Sequence, residues 1–268
     1  MGVGDIDALL NGRLAVTDLF KAAFTAEAAG GYHSSLYVAG NPGAGSAPSA
    51  GVNGTPLTSR SGQVPFPAAA AGKSVYLNAM DFAAAANVAG AFLADRLWEN
   101  SGLSVTLTSS QAIAAVTPPP RDANGSTNGV GVMAALEVVT ATGNGAPVNA
   151  TLTYTDSDGN AGATSTISIP ATAEVGTFVP FPLAAGDYGV RVPTAFQLAA
   201  TLTSGAISLV LYRRLSRTLR ALAANIPDSF GPADGGGPCL DGTVPWLVYL
   251  LSGTAAGVTG GSVQFVQV

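Results

Sequence analysis

The chain has 268 residues, of which 47% are hydrophobic and only 10% are charged, and its formal net charge is −5 at pH 7. Ordinary soluble domains carry about 25% charged residues, so this composition predicts that other protein chains cover part of the surface. The acidic balance argues against nucleic acid as the partner of the whole surface, because binding to phosphates needs an excess of Lys and Arg.

The sequence shows no targeting or spanning segment. Its first residues place Asp5 and Asp7 where a secretory signal carries Lys or Arg, so we expect synthesis in a cytoplasm. The most apolar run, AFQLAATLTSGAISLVLY, contains Gln197 and Thr203 and is too polar for a spanning helix of about 20 apolar residues. Cys239 is the one cysteine, which excludes an internal disulfide and a cysteine-based metal cluster.

The N-terminal segment predicts a helix followed by an arm. Asp5 or Asp7 can cap a helix through ALLNGRLAVTDLFKAAFTAEAA that ends at Gly30. Residues 40 to 72 consist mainly of Gly, Pro, Ser and Ala, which specify neither a helix nor a buried strand. We therefore predict that residues 1–74 form an N-terminal helix plus an extended arm that reaches onto neighbouring subunits.

The next segment is ambiguous between helix and strand. In VYLNAMDFAAAANVAGAFLADRLWENSG the alanines and the helical spacing of Phe82, Leu93 and Leu97 favour a helix. The same segment resembles the later FQLAATLTSGAISLVLYRRL, with a small-residue run, a Gly at 90 or 205, an apolar run and Arg-Leu. Because the later stretch is typical of a hairpin, we favour a β-hairpin for both.

The rest of the chain predicts a mainly β body over residues 75–268. Strand patterns recur about every ten residues between Gly and Pro turns, and an Asp158-Gly159 turn joins two alternating strands. The predicted strands lie in LSVTLTSS, GVMAALEVVTA, NATLTYTDSDGNAGATSTISI, GTFVPFPL and WLVYLLSGTAAGVTGGSVQFVQV. This pattern indicates an antiparallel β-sandwich, with a jelly-roll-like arrangement as the finer expectation.

One short stretch, YRRLSRTLRALAAN, concentrates positive charge. Arg213, Arg214, Arg217 and Arg220 supply four of the eleven cations within eight residues, and the spacing predicts a short amphipathic helix near residues 213–225. Its cationic face is either solvated and salt-bridged, or it contacts an anionic partner such as packaged nucleic acid or an acidic patch of a neighbouring subunit.

The loop TPPPRDANGSTNGVG, residues 117 to 131, is the segment that most resembles a site. Asp122, and later Asp156, begin runs of oxygen ligands at EF-hand spacing, but Thr127 and Ala161 stand where that loop requires Gly. Irregular calcium loops stay open. We interpret the segment as a strand connection whose Arg121 and Asp122 are candidates for contact with a neighbouring subunit.

Catalytic patterns are weak. The Gly-Lys-Ser at Lys73 lacks the earlier Gly of a phosphate loop, and His33 is the one candidate base for hydrolysis. Asp95 and Glu99 would share a face if their segment were helical. Glu137 lies in an apolar strand, where burial would require a partner such as Arg121 or Arg191. We expect no enzymatic activity and no cofactor.

A resemblance adds to this interpretation. The segments DRLWENSGL, PPRDANGSTNGVGVMAALEV, TLTYTDSDGNAG, GTFVPFPLAAGDYGVR and VPWLVYLLSGTAAGVTGGSVQFVQV resemble structural proteins of tailed-bacteriophage virions. The resemblance covers residues 75–268. It implies a non-enzymatic β-rich protein of the virion, present in many copies and contacting itself and other virion proteins.

Two classes of function therefore stay open. The first is a virion structural protein, with a head-associated shell or decoration role favoured over the neck or tail, because no coiled-coil or fibre repeat is found. The second is a carbohydrate- or receptor-binding β module, for which Trp98 and Trp246 are the candidate contact residues.

Overall fold

A computed structural model describes residues 6–26, 31–221, 223–231 and 238–268. In these residues the regular secondary structure is almost entirely strand, with one six-residue helix, α1 (Ile6–Asn11), and one 3-10 turn at Ser35–Tyr37. The strands are β1 (Arg13–Lys21), β2 (Phe24–Thr25), β3 (Tyr32–Ser34), β4 (Gly40–Asn41), β5 (Thr55–Pro56), β6 (Val75–Ala84), β7 (Val88–Asn100), β8 (Gln111–Ala112), β9 (Val132–Gly143), β10 (Val148–Asp156), β11 (Ala161–Ile169), β12 (Thr177–Pro180), β13 (Val190–Leu198), β14 (Ser204–Arg214), β15 (Leu219–Arg220), β16 (Asp228–Phe230), β17 (Pro238–Cys239), β18 (Pro245–Leu251), β19 (Ala255–Ala256) and β20 (Thr259–Gln267).

The largest sheet closes on itself into a barrel. Its strands follow the order β14, β9, β12, β3, β18 and β7, every neighbouring pair is antiparallel, and β7 pairs again with β14. The short strands β5 and β15 also pair with β7, at residues 98–99 and 90–91, beyond the parts of β7 that pair with β18 and β14 respectively. Closure removes the open edges that an eight-stranded sheet would otherwise present.

Aromatic rings fill one part of the barrel interior. Phe178 on β12 lies 5.3 Å from Tyr212 on β14 and 6.2 Å from Trp246 on β18, measured between ring centroids. None of these strands is a direct neighbour of another, so the rings meet across the lumen. Such pairs contribute roughly 0.5–1.5 kcal/mol each beyond the area they bury.

Two further sheets pack on the outside of the barrel. The sheet of β11, β10, β13 and β8 shares an apolar core with the outward side chains of β7, β9 and β14. The sheet built on β6, β20 and β1, with β16, β17 and β4 at its edges, packs against the outward side chains of β7 and β18. The prediction of a mainly β, antiparallel body is confirmed, and the finer jelly-roll arrangement stays a prediction.

The predicted long N-terminal helix is wrong. Only α1 is helical, and after Gly12 the same residues form β1, which pairs with β20 at the other end of the chain. In β1 the pairing buries Leu19 against the core while Val16 and Phe20 stay half exposed. Residues 27–30, where the helix was expected to end, lie outside the described residues. Pairing with a distant strand has overridden local helix propensity here.

The segment of residues 75–100 is strand, but neither of the two predicted hairpins forms. β6 and β7 do not pair with each other, since β6 joins β20, and β7 joins β18 and β14. In the later stretch, β13 joins β10 and β8 while β14 joins β9 and β7, so the two strands lie in different sheets. Asn87, with a φ of 56°, sits in the turn that carries the chain from one sheet to the other. The hairpin predicted around Gly159 is confirmed as the β10–β11 pair.

Two other local predictions fail. Residues 103–110 form no strand, because Ser104 hydrogen-bonds within the loop, its Oγ accepting from the Thr106 amide and its own amide donating to Gln111. Polar side chains that satisfy nearby backbone groups compete in this way with a sheet ladder. The Arg-rich helix near residues 213–225 is also absent from the described part of that segment, since Arg213 ends β14 and Arg220 lies in β15.

The predicted arm is extended and lies on the body of its own chain. The Leu57 amide donates to the Leu97 carbonyl, and the Val64 amide donates to the Pro245 carbonyl. Leu57 and Val64 are both buried. The division of the chain at residue 74 stays a prediction, as does any reach of the arm onto a neighbouring subunit.

Candidate functional site: buried charges and an uncharged exterior

Asp122 organises the loop of residues 117–131 from the inside. Its carboxylate accepts hydrogen bonds from the amides of Asn124 (2.9 Å), Ser126 (2.7 Å), Gly129 (3.0 Å) and Val130 (3.2 Å), and from the Ser126 hydroxyl (2.7 Å). Burial alone would raise the pKa of Asp122, but these hydrogen bonds outweigh it and lower the pKa. Both oxygens are used within the loop.

Arg121 points into the protein and fastens the arm to the barrel. Its guanidinium donates to both carboxylate oxygens of Asp95 (3.1 and 3.2 Å), to the Leu57 carbonyl (2.7 Å) and to the Arg96 carbonyl (3.1 Å). Arg121 and Asp122 are each only 2% exposed. Both side chains are therefore engaged within their own chain, and contact of this pair with a neighbouring subunit stays a prediction.

A network of four charges lies inside and beside the barrel. Arg96 on β7 donates from two nitrogens to the carboxylate of Glu137 on β9, at 3.0 and 2.6 Å, and from Nε to Glu99 at 3.0 Å. The Tyr37 hydroxyl donates to Glu137 at 3.0 Å, and Arg60 of the arm lies 3.4 Å from Glu99. The sequence prediction that a buried Glu137 needs a partner is confirmed, but the partner is Arg96 rather than Arg121 or Arg191.

The electrostatics of this network follow from its depth. Arg96 and Glu137 are both 0% exposed. Burial opposes charge on each group, yet their mutual attraction outweighs it, so the pKa of Glu137 lies below its ordinary value and the pKa of Arg96 lies above its own. Asp95 and Glu99, expected on one helical face, lie on a strand and bind different arginines, Arg121 and Arg96.

The four clustered arginines have different surroundings. Arg213 is buried and donates to the Pro238 carbonyl, whereas Arg214 is exposed and lies over the Phe92 ring at 4.3 Å. Arg217 is bound to both carboxylate oxygens of Asp228, at 3.0 and 3.1 Å. Arg220 is exposed on β15. The predicted single cationic helix face does not exist, because the arginines are divided between two strands and the turn that joins them.

The remaining candidate residues have structural surroundings. His33 is 2% exposed, its Nε2 donates to the Val175 carbonyl at 3.0 Å, and burial lowers its pKa to about 4. Burial also lowers the pKa of Lys21 to about 8, and its ammonium donates to the carbonyls of Val38 and Pro42. Lys73 is exposed in a turn. The cysteine of β17 is buried, which raises its pKa to about 12.

Neither candidate calcium loop presents a free ligand set. Asp156 accepts hydrogen bonds from the amides of Asp158 and Asn160 and from the Asn160 side chain, much as Asp122 does in its own loop. In the part of the chain that the structure describes, no group of three or more His, Cys, Asp or Glu residues could hold a metal ion. No described helix is long and apolar enough to span a bilayer.

The exterior carries few charges because the interior takes many of them. The chain has eleven Lys and Arg and sixteen Asp and Glu residues. Among the described residues, nine of these side chains are buried, namely Lys21, Asp95, Arg96, Glu99, Arg121, Asp122, Glu137, Asp156 and Arg213. Large apolar side chains are exposed instead at several positions, which are Leu10, Val16, Phe20, Leu107, Tyr188, Ile226 and Val258.

Sequence reasoning missed three parts of this arrangement. Arg96, Arg60 and Tyr37 lie in unrelated segments, and only the tertiary structure brings them to Glu137 and Glu99. The one signal available was an arginine within the apolar strand pattern of DRLWEN, where an unpaired cation would be costly.

Comparison with known proteins gives matches among solved structures. No protein-family model matches the chain, and no curated protein matches it. A search of solved structures finds the VP2 subviral particle of infectious bursal disease virus, at 9% identity and a TM-score of 0.21, covering 100% of this chain and 83% of that one. It also finds the Gx strain of the same virus, at 15% identity and a TM-score of 0.20, covering 77% of this chain and 46% of that one. Scores of this size do not establish a shared fold.

Proposed function

We propose that this chain is a non-enzymatic structural protein of a virus particle, assembling in many copies through contacts with itself and with other particle proteins. The finer part of the proposal is a tailed-bacteriophage virion, with a head-associated shell or decoration role. Its location would then be the virion, after synthesis in the host cytoplasm. The observation that carries the proposal is the distribution of charge between interior and surface.

The charge distribution supports assembly for a physical reason. Soluble single-chain proteins keep apart through surfaces rich in Lys, Arg, Glu and Asp. Among the described residues, nine charged side chains are buried and eleven are exposed. A surface poor in charge, with exposed apolar side chains such as Val16 and Phe20, is suited to burial against other subunits.

The buried charges support a structural role in a second way. A bidentate Arg–carboxylate pair holds its partners in one geometry, and Arg96 holds Glu137 in this manner across the barrel. Arg121 and Arg60 tie the arm to the same barrel through Leu57 and Glu99. Charged groups used in this way fix the shape of a subunit.

The carbohydrate-binding alternative has lost its basis in the sequence. Trp98 and Trp246 were its candidate contact residues, and both are 0% exposed. A buried indole cannot stack on a sugar at the surface. A neck or tail position remains the alternative within the virion class, since it would use the same kind of subunit surface.

The proposal is tested on purified particles of the virus that encodes the chain. We expect the protein to co-purify with particles through a density gradient, and quantitative gel analysis to give hundreds of copies per particle for a shell or decoration role. About a dozen copies would replace the head assignment with the neck. Absence of the chain from purified particles would overturn the virion proposal.

A contact of Arg220 with packaged nucleic acid stays a separate prediction within this proposal. Arg220→Glu would then reduce retention of nucleic acid in the particle, whereas Arg191→Glu, also exposed but on β13, would not. Equal retention in both variants would contradict a nucleic-acid contact at Arg220.

A further inference from the structure

The sheet of β11, β10, β13 and β8 ends in an open edge at β11. The direction of its backbone groups follows from β10: the Thr153 carbonyl accepts from the Thr194 hydroxyl at 3.1 Å, and the Asn149 carbonyl accepts from the Ala199 amide at 2.9 Å. These odd-numbered residues of β10 therefore face β13. Residues between them, such as Leu152, face β11.

The same alternation fixes β11. Leu152 is opposite Ser165 in the ladder, so Ser165 and Ile167 direct their amides and carbonyls back towards β10. Thr164, Thr166 and Ser168 must direct theirs away from the sheet. Across the described parts of the chain, no hydrogen bond reaches these three amides or these three carbonyls.

This edge lacks the features that usually prevent pairing. Over Ala161–Ile169 the strand has no charged residue and no proline, and its pairing with β10 is regular from Thr164 to Ile169. Natural sheets protect long edges with Lys, Pro, bulges or a covering loop. The open part of β1 differs, because it carries Arg13 and Asp18, and the Asn41 side chain donates to the Asp18 carbonyl.

We infer that a second copy of this chain pairs with β11 across a two-fold axis, strand against antiparallel strand. The pairing that uses every free group places Thr166 opposite the partner's Thr166 and Thr164 opposite the partner's Ser168. The two-fold axis also places Ser168 opposite the partner's Thr164. Each of the three pairs exchanges two backbone hydrogen bonds, as the hydrogen-bonded positions of an antiparallel ladder do. The two four-stranded sheets become one continuous sheet of eight strands.

A second copy fits this edge because the strand is self-complementary. In the antiparallel pairing, the exposed side chains of Thr164, Thr166 and Ser168 lie opposite the same exposed side chains of the partner. The inward Ser165 lies opposite the inward Ile167 of the partner subunit. No like charges meet, since the strand has none. A two-fold axis makes the same patch serve on both subunits. The inference goes beyond the proposed virion role and does not depend on it.

Cysteine crosslinking tests the pairing and its register in the full chain. Hydrogen-bonded positions across an antiparallel ladder have Cα atoms about 5.5 Å apart, within the range of a disulfide. The natural cysteine is buried on β17, so it should contribute little crosslinking of its own. We expect Thr166→Cys to form a covalent dimer under mild oxidation at least tenfold faster than Thr153→Cys, which lies on the same sheet face but one strand inward.

Mixed variants test the register. Thr164→Cys mixed with Ser168→Cys should crosslink at least tenfold faster than either variant alone. Equal crosslinking by Thr164→Cys alone would overturn this register, because Thr164 lies opposite its own copy only if the two-fold axis passes through another point of the strand. Crosslinking of Thr166→Cys no faster than that of Thr153→Cys would overturn the inference as a whole.

A proline variant separates the contribution of the backbone hydrogen bonds of β11 from that of its side chains. Thr166→Pro removes an outward amide that makes no bond within the chain, so the fold should persist by circular dichroism while dimers measured by sedimentation weaken at least tenfold. Thr166→Val keeps the amide and should keep the dimer. If Thr166→Pro changes assembly while Thr166→Cys gives no covalent dimer, another strand occupies the edge, and the second-copy inference is overturned. Absence of the chain from virus particles would leave these results unaffected.

Discussion

Replacing Arg96 is expected to be among the most destabilising single changes in the barrel. Arg96→Met removes the guanidinium that pairs with Glu137 at 2.6 and 3.0 Å and with Glu99 at 3.0 Å. Methionine keeps much of the side-chain length against Trp246, whose ring centre lies 5.7 Å from the guanidinium carbon. Glu137 then stays 0% exposed, with neutral hydroxyl donors such as Tyr37 and without its Arg96 cation.

The expected magnitude follows from leaving that carboxylate without a cation. Breaking a buried ion pair from one side costs about 3–5 kcal/mol of unfolding free energy. For a chain of this size, each kcal/mol lowers the melting temperature by about 2–4 °C, so Arg96→Met should lower it by about 6–20 °C. Glu137→Gln should cost less, because Arg96 keeps Glu99 as a partner.

The assay is chemical denaturation followed by circular dichroism, with a double-mutant cycle. Arg96→Met combined with Glu137→Leu should be more stable than the sum of the single changes predicts, by at least about 2 kcal/mol, because no charge is then left unpaired. Arg217→Met is the matched control at the exposed pair with Asp228, where the side chains are 45% and 29% exposed, and it should cost less than about 1 kcal/mol. If Arg96→Met costs no more than Arg217→Met, the barrel network does not stabilise the fold as argued.

Three further outcomes are expected. The pKa of His33 should be about 4 by NMR, and a measured pKa near 6.5 would contradict the buried site. Because the unfolded chain binds this proton near pH 6.5, the free energy of unfolding should fall by up to about 3 kcal/mol between pH 6.5 and 4. The His33→Gln variant should lack this pH-dependent loss of stability. Asp122→Ala should lower the free energy of unfolding in denaturant by about 2–4 kcal/mol. Asp122→Asn should lower it less, since the side-chain amide oxygen still accepts hydrogen bonds from the loop. Equally small losses in both variants would mean that the loop keeps its conformation without the Asp122 carboxylate. Gly129→Ala should cost at least about 2 kcal/mol, because φ is +85° and a Cβ would overlap the Val190 carbonyl, and an unchanged melting temperature would refute that geometry.

Strand patterns that depend on near neighbours could be predicted. The β10–β11 hairpin follows from alternation on both sides of Gly159, and the strands of residues 75–100 follow from their likeness to β14 and its flanks. The need for a partner at Glu137 also follows from sequence, because an acid inside an apolar strand cannot stay unpaired when buried.

Other local patterns were misleading because distant partners decide them. Residues 13–21 favour a helix by composition, yet they pair with β20, about 250 positions away in the chain. Arg213, Arg217 and Arg220 fall on one face of a hypothetical helix, but Arg213 and Arg214 form the C-terminal end of β14 instead. Local propensity amounts to a few tenths of a kcal/mol per residue, and a strand pairing in a packed sheet outweighs it.

By itself the sequence determined the class of the molecule: a charge-poor, antiparallel β protein with few residues suited to catalysis, because composition and alternation need no knowledge of distant contacts. Only the tertiary structure decided where the charges go. Barrel closure brings Arg96 to Glu137 and Arg121 to Asp95, pairs that no spacing in the chain reveals. Sheet order likewise decided that β11 keeps one free edge, since whether a strand is central or terminal depends on which other strands reach it.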